Sequence, residues 1–140
     1  MNRLIQFLTL GLFLLVNACG PNLVEENKKM REQLIAVHDE VMPQIGKLKS
    51  LEKKATQKIE ELSTQESVDS LQIENLKALA FDLNQAYEGM FVWMRQYQTE
   101  DGDKEPSEVK KYLEEQTVMV TEVNQEIKDL IEKAEKELED

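Results

Sequence analysis

The chain has 140 residues, with 28 Asp and Glu against 17 Lys and Arg, a formal charge of −11, one histidine and one cysteine. An acidic excess of this size disfavours electrostatic binding to nucleic acid or to an anionic lipid surface. A single cysteine rules out an internal disulfide, and a single histidine rules out any site that needs two imidazoles.

Met1-Asn2-Arg3 followed by the apolar run from Leu4 to Val16 has the layout of a secretory signal, a short basic start and about a dozen apolar residues. That run is short of the roughly twenty residues a permanent membrane span needs, and the chain turns polar at Asn22 and Glu25. Val16-Asn17-Ala18-Cys19 has the form of a lipobox, in which the cysteine receives a diacylglycerol and becomes the first residue after cleavage. The expected organisation is a signal peptide at 1–18, lipidated Cys19 and a tether through 22, and a helical domain over 23–140. One acyl chain binds a membrane only marginally, whereas several together anchor firmly. Cleavage would leave 122 residues (140 less 18), a single-domain length, with 16 basic against 28 acidic side chains and so a charge of −12.

Beyond Pro21 the only prolines are Pro43 and Pro106 and the only glycines Gly46, Gly89 and Gly102, while Glu, Lys, Gln and Leu dominate. Apolar residues recur every three or four positions from Met30 through Leu34, Val37, Val41, Ile45, Leu48, Leu51, Ala55 and Ile59 to Leu62. This predicts a first helix over 23–62, kinked at Pro43, which lacks an amide hydrogen and crowds the carbonyl of Asp39. Ser63 to Ser67 breaks the stripe, and Ser63 with Glu66 has capping-box spacing, so a tight turn is expected there; one unbroken helix is the alternative, because no Gly or Pro enforces the turn. A second helix is predicted over 66–98, with Leu71, Leu76, Leu79, Leu83, Ala86, Met90, Trp93 and Tyr97 inward. After the polar stretch 99–105, Pro106 opens a third helix with Val109, Leu113, Gln116, Val120, Val123, Ile127, Leu130, Ala134 and Leu138 on its stripe. Three amphipathic stripes must cover one another, so the fold class is all-α, an antiparallel three-helix bundle with coiled-coil-like packing and a long, kinked first helix.

No phosphate loop, zinc pattern or nucleophile elbow is present, and the carboxylates lie in Glu/Lys mixtures typical of solvated faces; no enzyme activity is expected. One cluster stands out. A first turn centred near Thr64 brings Met90 level with His38; Met42 lies one turn from His38 and Met94 one turn from Met90. A second turn centred near Gly102 brings Met119 into the next layer, at the height of Ala86. Imidazole and thioether are ligands that suit Cu(I), so His38, Met42, Met90, Met94 and Met119 form a candidate copper site. The same residues also read as ordinary packing: methionine fills the irregular gaps beside a proline kink, and His38 fits a half-buried imidazole hydrogen-bonded to a carboxylate. Trp93 reads as core, and Phe91, off the stripe, as a partner contact or as packing against the first helix.

His38-Asp39-Glu40-Val41-Met42-Pro43, with Trp93-Met94 and Tyr112-Leu113-Glu114-Glu115-Gln116 further on, resembles a group of small lipoproteins of the Bacteroidetes that often carry the label "viral A-type inclusion protein". The resemblance spans nearly all of the chain beyond the signal. It implies an envelope lipoprotein without enzyme activity and brings no functional residue with it. Gly20 carries no obvious retention signal, and the outer membrane is implied by the resemblance alone. The expected role is therefore structural or protein-interacting at a membrane reached through the Cys19 anchor, without a cofactor, with a protein partner or self-association open; the alternative is a copper-binding protein facing the periplasm.

Overall fold

The computed structural model describes residues 22–67 and 69–139; the expected signal segment, Cys19, Gly20 and Pro21 lie outside the described residues. All regular structure within them is helical: α1 (Leu23–Val41), a 3-10 turn (Met42–Gln44), α2 (Ile45–Ser63), α3 (Ser70–Gln96) and α4 (Pro106–Leu138). Helices α1 and α2 form one broken rod, so three rods pack up, down and up. The chain is an all-helical bundle. Among the described residues no helix is long and apolar enough to cross a membrane.

The first rod breaks at Pro43 as a short 3-10 turn and not as a bend in one continuous α-helix. The proline has no proton to donate and its ring crowds the preceding turn, so the chain tightens locally and the Ile45 amide reaches the Met42 carbonyl three residues back. Just before the break the Met42 amide still bonds the His38 carbonyl, which keeps the last turn of α1 intact. The apolar stripe therefore crosses the break in phase, and Leu34, Val41, Ile45, Leu48, Leu51 and Ala55 are all buried.

The next helix starts later than its polar lead-in predicts. Ser63 does not cap it; its hydroxyl donates back to the Ile59 carbonyl at 2.7 Å. Asp69 does the capping, its carboxylate accepting the Gln72 amide at 3.0 Å. Leu71, expected inward, is 69% exposed, and Ile73 is buried in its place. The reason is spacing: Leu71 lies five residues before Leu76 and so points well away from it, whereas Ile73 lies three before it. A reciprocal capping box does form at Glu105 and Glu108, with Pro106 in the first helical position of α4.

Polar contacts set how the rods lie. Helix α1 runs parallel to α4: Asn27 Nδ2 donates to the Pro106 carbonyl at 2.7 Å near one end, and Asn124 Nδ2 to the Val37 carbonyl at 2.7 Å further along. Glu26–Lys110, Glu40–Lys128 and Glu135–Lys47 ion pairs follow the same register. Helix α3 runs against both, with Lys49 of α2 donating to Asn84 at 3.2 Å and Lys133 of α4 beside Asp82. Asn27 and Asn124 are the two buried polar residues of the described chain. An amide nitrogen buried at a seam position finds its carbonyl in one register only, so the two Nδ2 donors act as pegs between α1 and α4.

Candidate functional site

The chemistry of the bundle gathers where α1 faces the C-terminal half of α3. Arg31 and His38 lie seven residues apart, two turns, on one face of α1. Arg31 Nη1 donates to the Tyr97 hydroxyl at 2.8 Å and to the Gln98 carbonyl at 3.0 Å, and its other nitrogen pairs with Asp101. The guanidinium lies 5.8 Å from the Tyr97 ring centroid, within cation–π range. His38 packs on Trp93 with ring centroids 5.6 Å apart, Trp93 stacks on Tyr97 at 5.0 Å, and Tyr97 on Tyr112 of α4 at 6.3 Å. A ladder of four rings thus crosses all three rods, and the Gln98 amide donates to the Tyr112 hydroxyl at 2.6 Å to fix its outer end.

Three atoms along this ladder are buried without a hydrogen-bond partner among the described residues: His38 Nε2, Trp93 Nε1 and Gln116 Oε1. Burying a polar atom unmet costs about 1–3 kcal/mol; Glu26 Oε2, Asn27 Oδ1 and Glu52 Oε2 are in the same position elsewhere in the bundle. His38 Nδ1 lies 2.8 Å from Asp39 Oδ1. A carboxylate only accepts, so Nδ1 is the donor in this contact and Nε2 is the ring nitrogen left buried without a partner.

The five expected metal ligands do not all share this place. Met42 is half-buried against the core beside the Pro43 break, and Met90 is fully buried. Met94 is 39% exposed. It continues the strip of α3 that begins at Tyr87 and Phe91, and Tyr87 lies under the Lys49 ammonium of α2, so this strip faces the first rod. Met119 stands apart, 41% exposed and with its sulfur accepting from Gln116 Nε2 at 3.6 Å. It lies two turns from Tyr112, on the side of α4 that meets α3, whereas α4 meets α1 through Lys110, Asn124 and Lys128. Phe91 packs against Tyr87 at 4.8 Å and against the core, next to the first rod. Arg31 and Tyr97 complete the cluster; Tyr97 lies on the expected inward face of the second helix with Trp93, and the seven-residue spacing of Arg31 to His38 is the sign of Arg31's part in it.

Among the described residues no group of three His, Cys, Asp or Glu side chains could hold a metal ion. The surface hollows are lined mainly by charged and amide side chains, such as Gln72, Asn75, Lys133 and Glu137 between α3 and α4. No family model matches the chain, and neither a curated protein nor a solved structure matches it.

Proposed function

We propose that the protein is a lipid-anchored, non-enzymatic lipoprotein of the bacterial envelope whose helical rod serves as a structural or protein-binding element. The observation that carries this reading is the lipobox at Cys19 placed four residues before the first helical residue, Leu23. So short a tether would hold the start of α1 close to the bilayer. The 97–105 loop and the start of α4 lie at the same end, because Asn27 is bonded to Pro106 and Arg31 to Tyr97. The turn after Ser63 would then stand away from the membrane, about 50 Å out for a helix of α4's length. A bundle whose stripes cover one another offers an acidic surface on which Leu71, Phe81 and Val118 are among the exposed apolar side chains.

The test is labelling and fractionation in cells of a diderm bacterium. The native chain should take up radiolabelled palmitate, lose residues 1–18 and sediment with membranes, and Cys19→Ala should take up no label and keep its signal segment, read by mass, while keeping its helical spectrum. A native chain that takes no label, or a Cys19→Ala chain that is labelled or cleaved like the native one, would overturn the anchor. For the interaction role, a photo-crosslinking residue at position 81 should yield one reproducible protein adduct in cells; repeated absence of any adduct from that and a second position at 118 counts against it.

A further inference from the structure

We infer that the seam where His38 of α1 packs on Trp93 of α3 holds a site for a single soft, monovalent metal ion, Cu(I), bound by His38 Nε2, Met42 Sδ and Met94 Sδ, with the Trp93 ring as its inner wall. The site is independent of the membrane anchor. His38 and Met42 lie four residues apart across an intact helical turn, since the Met42 amide still bonds the His38 carbonyl, and side chains at that spacing rise from one face. Arg31 against Tyr97 and His38 against Trp93 fix the antiparallel register of the two rods. In that register Met94, next to Trp93, lies level with His38 on the strip of α3 that faces the first rod, and Met90 lies one turn away in the core.

The donor set decides the ion. One imidazole nitrogen and two thioethers make a neutral, soft, three-coordinate arrangement, which suits Cu(I) and gives little to Zn(II) or to hard cations. Asp39 supplies the outer-shell carboxylate that a metal-binding histidine ordinarily has on its other nitrogen, and the 2.8 Å contact to Nδ1 leaves Nε2 as the donor atom. That nitrogen is buried and has no hydrogen-bond partner among the described residues, while Met94, partly exposed, gives the ion a route from solvent. Met119 is left out because α4 turns it toward α3, and its sulfur already accepts from Gln116.

The experiment is anaerobic titration of the full chain, purified in detergent, with Cu(I) in competition with a chromogenic Cu(I) chelator, following Trp93 fluorescence in parallel. One Cu(I) per chain is expected, with a saturable change in the emission of Trp93, the chain's one tryptophan. His38→Gln, Met42→Leu and Met94→Leu should each weaken binding by at least about tenfold, the lower end of what even an outer-shell change costs a metal site. Met119→Leu should bind as the native chain does. Met94 is exposed, so its variant folds and keeps the test decisive even where a change at His38 disturbs the helix; far-UV circular dichroism checks each chain. Failure to bind one equivalent, binding that survives the Met94 and Met42 changes, or loss in Met119→Leu equal to that in Met94→Leu overturns the site.

Discussion

At the scale of single residues, the two glycines that differ most in their backbone set a direct comparison. Gly89 sits within α3 at an ordinary helical angle, and a methyl group added there meets nothing within 4 Å. Gly102, in the loop before α4, has φ of 61°, a left-handed conformation that side chains resist, although the space around it is equally open. Gly89→Ala should therefore stabilise the chain by about 0.5–1 kcal/mol through reduced freedom of the unfolded state. Gly102→Ala should destabilise it by about 1–2 kcal/mol through strain alone. Urea denaturation of the two variants reads both signs; equal shifts would mean that neither the helix nor the loop angle controls them. The environment of His38 is a residue-scale matter too. A half-buried imidazole beside a carboxylate is readable from His38-Asp39 and the stripe, but its contact with Trp93 is not, because that contact depends on how α1 and α3 are set against each other.

Between elements, buried amides and ion pairs hold α1 and α4 in parallel register. The Glu40 carboxylate accepts from Lys128 Nζ at 2.7 Å and from Asn124 Nδ2 at 3.3 Å, and these bonds, Lys128's first, hold its pKa below the usual carboxylate range. The sign follows from linkage: a lowered folded pKa gives stability that is present above the unfolded value and disappears as pH falls through the folded one. The native chain and Glu40→Gln should thus differ in denaturation midpoint near neutral pH and converge once the pH drops below the ordinary carboxylate range. A gap that stayed constant down to that pH would show that Glu40 acts through shape and not through charge. The helix registers also explain where counting along the sequence loses accuracy. Centring the first turn near Thr64 sets Met90 opposite His38, whereas the structure sets Trp93 there, less than one turn away, because α3 waits for the Asp69 cap. The stacking of Tyr97 on Tyr112 likewise centres the second turn beyond Gly102 and carries Met119 up past the level of Ala86. That displacement along the rod matters less than the side of α4 on which Met119 lies.

For the whole molecule, the net charge of −11 acts against the compact state. Its ion pairs are short-range and largely exposed, and pairs of that kind are worth about 0–1 kcal/mol each. Repulsion among the acidic side chains acts across the bundle, over a screening length of about 30 Å at 0.01 M salt and about 3 Å at 1 M. Repulsion should win, so Tm should rise by a few degrees from low to high sodium chloride, the equivalent of about 1 kcal/mol. A Tm that fell with salt would show the ion pairs to be the larger contribution. The all-helical class, the three rods and the start at Pro106 are legible in the sequence, and so is an interruption at Pro43, though as a kink in one helix and not as the 3-10 break that the chain adopts. These follow from local rules: a stripe with a period near 3.6, an amide missing at proline, and a phase that persists over many turns. It did not decide the capping at Asp69, the inward turn of Ile73 in place of Leu71, the parallel pegging of α1 on α4 by Asn27 and Asn124, or the ring ladder from His38 to Tyr112. Those depend on the relative rotation and height of rods far apart in the chain. Shifting a turn by two residues barely changes the apolar stripes, but it changes which polar and aromatic side chains meet, and only the packed tertiary structure fixes that.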